Sequence, residues 1–293
     1  MKTLLRWVGF GLGALVVLFA LGLGTAWVAV ARGMGRQYDV PAENFSAAAD
    51  SAAIERGRHF AVAIAKCASC HGGDMAGAVV LEGGGFGRLV SSNLTPGRGG
   101  IGAEYTDADW ERAIRHGVGR DGRPLRFMPA AEYAAISDRD LAGLVAYLKT
   151  LAPVDRELPT TRVGLMARVL AIVAPDFPLL SAARLDHRAP HPTAPAPAAT
   201  REYGAYLARV GGCTGCHGAD LTGGRGGPPP TPPAIDAAAL AGWTEADFTR
   251  TLRTGVRPDG RVLNTAMPWP ATAQMTDEEI RALWLYVRGP REP

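Results

Sequence analysis

Hydrophobic and polar positions divide the chain into one long apolar run and two stretches of helical periodicity. From Trp7 to Ala31 no residue is charged, and a helix of about 25 residues is longer than the ~30 Å hydrocarbon layer of a bilayer requires. Lys2 and Arg6 precede the run, and Trp7 and Trp27 lie near its two ends, where interfacial aromatics sit. Residues 1–31 are therefore expected to form a membrane anchor. A cleaved signal peptide is the competing reading, because Ala29-Val30-Ala31 has the small-x-small pattern of a cleavage site. The apolar core of a signal normally runs to only about 7 to 15 residues, which favours the anchor. Arg32 and Arg36 balance Lys2 and Arg6, so charge sets no orientation.

Beyond a polar, alanine-rich stretch ending at Asp50, Ala53 to Ala65 predicts a helix whose Gly57 permits a close crossing. The glycines of Gly83-Gly84-Gly85-Phe86-Gly87 suit a loop wrapped round a flat ligand. Thr106-Asp107-Ala108-Asp109 is a capping box, opening a helix through Arg115 that stops at Gly117. Ser137-Asp138-Arg139-Asp140 opens another, in which Leu141, Leu144, Val145 and Leu148 recur as one apolar face. The expected partner of that face is the helix carrying Gly57 and Phe60, with Tyr147 near the crossing.

The second half repeats the first. Tyr105-Thr106-x-Ala108-Asp109-Trp110-x-Arg112 is answered by Trp243-Thr244-x-Ala246-Asp247-Phe248-x-Arg250, 138 residues on. Gly117-Val118-x-x-Asp121-Gly122-Arg123-x-Leu125 is answered by Gly255-Val256-x-x-Asp259-Gly260-Arg261-x-Leu263 at the same offset. Met128-Pro129 matches Met267-Pro268 after 139 residues, one having been inserted. The last helix keeps that register, with Thr276-x-x-Glu279 as its capping box and Ile280, Leu283, Trp284 and Val287 as its apolar face. Between the repeats, Pro153 to Thr200 is proline-rich and reads as a stiff, extended spacer. Val163 to Ala174 within it is apolar but too short to cross a bilayer. It is expected to pack across both repeats, in preference to lying on a membrane surface or docking a partner.

Composition narrows the chemistry. The 293 residues, 47% hydrophobic and 20% charged, have room for two small domains. A formal charge of +3 makes no case for nucleic acid. All four cysteines fall in two copies of one pattern, Cys67-Ala68-Ser69-Cys70-His71 and Cys213-Thr214-Gly215-Cys216-His217. C-x-x-C-H is the attachment pattern of c-type haem: two thiols one helical turn apart form thioethers to two vinyl groups, and the adjacent histidine faces the iron. Zinc is the alternative, but a closed zinc site needs four ligands in tetrahedral array, usually with a second separated pair. A His/Met pair is a standard axial set in cytochromes c, and methionine raises the reduction potential. Met128 and Met267 occupy equivalent positions after the two motifs and are the candidate second ligands, although methionine also fills apolar cores. Met75 is too close to His71 to reach the other haem face. His116 corresponds to Thr254, so a surface or helix-terminal role is expected for it, and His59, His187 and His191 stand in no motif. Arg112, Arg115 and Arg123 recur as Arg250, Arg253 and Arg261 and are candidates for haem propionates or for solvated helix faces and turns.

Phe86-Gly87, Ser91-Ser92-Asn93-Leu94-Thr95-Pro96, Gly100-Ile101-Gly102, Arg115-His116-Gly117-Val118, Asp121-Gly122-Arg123 and Met128-Pro129 resemble the run between haem and methionine in membrane-anchored multihaem cytochrome c subunits of bacterial alcohol, aldehyde and sugar-acid dehydrogenases. The resemblance covers both repeats. Many members carry three haem motifs, and this chain has two. The family often has proline where this chain has Gly85, and in the second repeat Pro228-Pro229-Pro230-Thr231-Pro232-Pro233 replaces the Ser-Asn-Leu-Thr-Pro run. The resemblance implies that Cys67, Cys70, His71 and Met128 hold one haem, and Cys213, Cys216, His217 and Met267 the other. It also implies periplasmic haem domains on a bacterial cytoplasmic membrane, a periplasmic dehydrogenase subunit or other redox protein as donor, and quinone or a terminal oxidase as acceptor. The expected architecture is all-α: an anchor (1–31), a class I cytochrome c domain (50–152), a linker (153–200) and a second such domain (201–290). Electron transfer without a substrate site is the expected function. The rival is a dihaem enzyme such as a peroxidase or thiosulfate dehydrogenase, which needs a haem with an open or displaceable position.

Overall fold

The computed structural model describes residues 2–41, 45–174, 177–224 and 231–289. Pro228 to Pro230 of the proline run, and Pro290 at the expected end of the second domain, lie outside the described residues. The chain is helical with one small sheet. In order, it forms α1 (Lys2–Gly35), α2 (Ser51–His59) continued by a π-helical turn (Phe60–Ile64), α3 (Ala68–His71), β1 (Val79–Gly83), β2 (Gly87–Val90) and α4 (Asp107–His116). There follow α5 (Ala130–Tyr133), α6 (Asp138–Lys149), β3 (Arg162–Val163), α7 (Leu165–Val173) and a 3-10 turn (Pro178–Arg184). The second repeat comprises α8 (Arg201–Val210), α9 (Cys213–His217), α10 (Glu245–Thr254), α11 (Trp269–Thr272) and α12 (Asp277–Arg288).

Local rules account for the helix ends. Thr106 and Asp109 satisfy each other's backbone N–H at the start of α4, and Thr244 with Asp247 does the same for α10. Both helices end on a glycine in the left-handed region, Gly117 and Gly255, where a side chain would be strained. Ser137 caps α6, and Thr276 with Glu279 forms the box of α12.

In each repeat the first helix crosses the last at backbone contact. A Cβ built on Gly57 of α2 would lie 1.9 Å from the Gly143 carbonyl oxygen of α6, and one on Gly204 of α8 would lie 1.9 Å from the Ala282 carbonyl of α12. The expected partnership of the Gly57 helix with the Leu141 face is thus present, and Leu141, Leu144, Val145 and Leu148 are all buried. Phe60 and Leu207 of the two first helices belong to one continuous apolar core shared by both repeats.

The repeats meet through equivalent positions. His59 Nε2 on α2 lies 2.9 Å from both carboxylate oxygens of Glu279 on α12. Reciprocally, Tyr206 on α8 donates its hydroxyl to Asp140 Oδ2 on α6 at 2.6 Å and accepts from the Ser137 N–H at 3.3 Å. Asp140 and Glu279 are the same position of the repeat. This is the arrangement of a pseudo-twofold interface, in which each first helix touches the start of the other repeat's last helix. The hydrogen bond to Glu279 raises the His59 pKa against the opposing effect of burial. Because the folded pKa exceeds the ordinary ~6.5, the stabilisation is fully present below that value and is lost as pH rises through the raised pKa. Chemical denaturation of the holoprotein should show a midpoint that falls from pH 6 to pH 8, with the slope reduced in His59→Gln; equal slopes would exclude this pair as the cause.

Three expectations are corrected. Gly83 to Gly87, read as a flexible loop, turn an antiparallel β1–β2 hairpin, and β3 pairs with β2. The spacer is not simply extended, since it contains β3, α7 and the 3-10 turn. The apolar segment is helical as α7 but packs against α1 rather than across both repeats.

Candidate haem sites

The two C-x-x-C-H motifs fold into single helical turns, α3 and α9, each ending at a glycine with φ near +80° (Gly72 and Gly218). From that point the two chains follow one path. The Gly77 N–H donates to the His71 carbonyl and the Gly223 N–H to the His217 carbonyl, both at 2.8 Å. Met75 and Leu221 share φ of 57° and full burial, and their carbonyls accept from Leu94 and Ile235, again at 2.8 Å. Met75 is therefore a core residue with a leucine counterpart.

This path aims each histidine. His71 Nδ1–H donates to the Ser92 carbonyl at 2.8 Å, and His217 Nδ1–H donates to the Pro233 carbonyl at 2.7 Å. A proton held on Nδ1 leaves the Nε2 lone pair available to a metal. Burial lowers both imidazole pKa values, only partly opposed by these carbonyls, which favours the neutral ligating form. Proline lacks an N–H but keeps its carbonyl, so the proline run does the orienting work of the Ser-Ser-Asn-Leu-Thr-Pro segment. In the first repeat that segment is braced from within. Asn93 Oδ1 accepts from the Thr95 N–H and hydroxyl at 2.9 and 2.8 Å, and Asn93 Nδ2 donates to the Val154 carbonyl at 2.9 Å. Sequence reasoning did not find Ser92 or Pro233, because a backbone carbonyl leaves no side-chain signal.

Met128 and Met267 stand at matched places. Pro129 and Pro268 have almost the same backbone angles (φ −79°, ψ 54° and 52°), and the Met128 and Met267 carbonyls each accept from the residue two ahead at 2.8 Å. Both side chains are half-buried against the core that also covers Cys67 and Cys213. The four thiols are unpaired. Burial pushes the Cys67 thiol up to about 12. Among the described residues, the metal-ligating groups that converge within 4.8 Å are Glu111, His116 and His191, and no cysteine belongs to that set. The cysteines and histidine of each motif therefore do not converge, among the described residues, with further ligands as a tetrahedral zinc site requires, and a methionine packs against the same core as the first cysteine of each motif.

The recurring arginines serve the scaffold. Arg115 donates to the Ile136 carbonyl at 2.9 Å and to Asp138 at 2.8 Å, while Arg253 donates to the Met275 carbonyl at 2.5 Å and to Asp277 at 2.6 Å. Arg115 ties the end of α4 to the start of α6, and Arg253 ties the end of α10 to the start of α12. Arg112 and Arg250 pair with Asp109 and Asp247 on their own helices, and Arg261 closes the turn on Asp259 at 2.7 Å. Arg115 and Arg253, candidates for propionates or for solvated faces, bind backbone carbonyls and an aspartate of their own repeat. His116 is helix-terminal but not superficial: it is 5% exposed, with Nε2 3.3 Å from Glu111 Oε1 and Nδ1 3.0 Å from His187 Nδ1. Arg115 Nη1 lies in the same cluster, 3.2 Å from Glu111 and 3.0 Å from His191 Nδ1, so the protein supplies its own cation there.

The two attachment turns are neighbours. Lys66, which precedes Cys67, donates to the carbonyl of Gly211, two residues before Cys213. Glu132 on α5, just after Met128, lays its carboxylate against the other turn; a Cβ on Gly215 would fall 2.4 Å from Glu132 Oε1. Burial raises the pKa of Glu132.

Comparison with known proteins agrees with this geometry. The family described as cytochrome C oxidase, cbb3-type, subunit III matches residues 52–148, and the family described as cytochrome c matches residues 202–289. A nicotinate dehydrogenase subunit of Pseudomonas putida is 36% identical over 176 residues, covering 57% of this chain and 14% of that protein. The fructose dehydrogenase cytochrome subunit of Gluconobacter japonicus is 37% identical over 130 residues, 42% of this chain and 26% of that subunit. The chain therefore spans well under half the length of these two relatives. A dihaem cytochrome c-type protein of Cereibacter sphaeroides is 31% identical over 252 residues, 76% of this chain and 81% of that protein. With two cytochrome c domains, two covalent haem groups and a relative matched along most of both lengths, the chain belongs to the dihaem c-type cytochromes.

Proposed function

We propose that this protein relays electrons between a periplasmic dehydrogenase and the respiratory chain, delivering to quinone or a terminal oxidase. Cys67 and Cys70 carry the first haem and His71 and Met128 ligate it; Cys213, Cys216, His217 and Met267 do the same for the second. The domains run over 50–152 and 201–290, joined by 153–200 and anchored by 1–31 in the cytoplasmic membrane with both haems in the periplasm. The observation that carries the reading is the contact of the two attachment turns through Lys66, Gly211, Glu132 and Gly215, which makes the two cofactors neighbours within one core. Haem supplies one-electron chemistry. The chain's own residues orient the histidines through Ser92 and Pro233 and fill both axial positions, leaving no vacancy for peroxide or substrate. The dehydrogenase names among the relatives support a dehydrogenase as donor. The contact of α1 with α7 and the burial of Val30 favour a retained anchor, because cleavage after Ala31 would strip that packing. The full chain in detergent should be reduced by the dehydrogenase that co-purifies from the native membrane and reoxidised by a quinone analogue or oxidase. Rapid peroxide turnover by the isolated protein, with a high-spin haem, would replace the relay by the enzyme reading.

A further inference from the structure

The spacer helix α7 packs against α1 and keeps an exposed apolar face. It reads Leu165-Met166-Ala167-Arg168-Val169-Leu170-Ala171-Ile172-Val173, with one charge. Ala167 and Arg168 are buried, whereas Leu165, Met166, Ile172 and Val173 are 47%, 47%, 49% and 67% exposed. Those four positions fall at i, i+1, i+7 and i+8, a single stripe of the helix.

The level of this stripe is set by α1. Large apolar side chains between Leu4 and Leu21 are 52–71% exposed, whereas Val30 near the other end is 4% exposed. Trp7 and Trp27 are twenty residues apart, about 30 Å along a helix, which is the thickness of the hydrocarbon layer. Trp27 therefore marks one edge of the span. Arg168 of α7 stacks on that ring, with Cζ 3.8 Å from its centroid. An arginine with its stem on apolar surface and its guanidinium over an interfacial tryptophan belongs at headgroup depth. The start of α7 is also held to the first repeat, since the Met166 N–H donates to the Gly85 carbonyl of the β1–β2 turn at 3.0 Å.

We propose that α7 is an interfacial membrane helix, seated at the Trp27 edge of the bilayer with Leu165, Met166, Ile172 and Val173 in the boundary between headgroups and acyl chains. The inference rests on the reading of α1 as a retained anchor. It gives the first haem domain a second attachment to the membrane, so that the domain is held at a set attitude instead of swinging on one tether. A bilayer is the occupant because α7 packs against the exposed, apolar α1 and because Arg168 meets that helix at its interfacial tryptophan. A short helix with an apolar stripe and a basic residue at its edge is the form such contacts take.

The test uses the full-length holoprotein in nanodiscs of phosphatidylcholine and phosphatidylglycerol. The native cysteines are consumed by thioethers, so Ile172→Cys and Val173→Cys, made separately, each present one thiol for a nitroxide label. Leu15→Cys on α1 and Val262→Cys, a 70% exposed site in the second repeat, give the lipid and water references; haem content and the visible spectrum verify folding of each variant. Labels at 172 and 173 should be reached by oxygen in preference to a water-soluble nickel chelate, several-fold more so than the label at 262, and at shallower depth than the label at 15. A water-like result at 172 and 173 with a lipid-like result at 15 overturns the proposal and leaves the anchor standing. Shielding of both labels from oxygen and nickel also overturns it, assigning the stripe to a second copy or another protein. A water-like result at 15 overturns the anchor and this inference together.

Discussion

Met128→Ala is expected to abolish the methionine-to-iron absorption of one haem and leave the other unchanged. The variant should still carry two covalent haems, because attachment resides in Cys67 and Cys70. Its affected haem should fall in potential by on the order of 100 mV, within the ~0.8 V range that axial ligation controls. Met267→Ala should do the same to the second haem, since Pro129 and Pro268 place the two methionines alike. Redox titration of the two single variants and the double variant separates the sites. An unchanged titration in Met128→Ala would assign the axial position to another residue and dissolve the equivalence of the repeats.

Gly57→Ala should be a strongly destabilising methyl addition. Alanine is the better helix former by about 1 kcal/mol, yet its Cβ would lie 1.9 Å from the Gly143 carbonyl oxygen and 2.2 Å from its carbon. Neither atom belongs to a flexible side chain, so α2 and α6 must separate and open the core between them. Overpacking typically costs about 1–3 kcal/mol, and this backbone collision belongs at the upper end, for a net loss of about 2 kcal/mol. Denaturant unfolding followed by near-ultraviolet dichroism should show the loss, while Gly242→Ala, where nothing lies within 4 Å, should stay within about 0.5 kcal/mol of the parent. Equal midpoints for the two variants would mean that the crossing relaxes at no cost.

What the residues disclosed was mostly local or repeated. Capping boxes at Thr106 and Thr276 depend on side chains three positions apart, and both formed, while at Ser137 the cap bond formed without its reciprocal. The two haem motifs were legible because attachment chemistry dictates spacing, and the matched placement of Met128 and Met267 was legible because the duplication supplied a second copy. The misreadings have a common origin in the segment that the repeat does not share. His116 has Thr254 as its counterpart and so was assigned no buried role, but its neighbours His187 and His191 come from the spacer, which the second repeat lacks. The β-sheet was hidden likewise: β1 is exposed along its length and shows no alternation, and its sheet is completed by two residues from beyond α6. The π turn at Phe60 to Ile64 has no sequence signature, and the histidine-orienting carbonyls of Ser92 and Pro233 belong to no side chain.

The exchange of His59 to Glu279 and Tyr206 to Asp140 bears on how the repeats stay together. A self-complementary patch is what two identical chains use to make a closed dimer. Carried on one chain, the two halves of the patch meet intramolecularly, so their encounter is set by the connection between them and not by the abundance of the protein. The contact between the repeats is thereby independent of concentration, even though its halves are chemically unlike, an imidazole–carboxylate pair on one side and a phenol–carboxylate pair on the other.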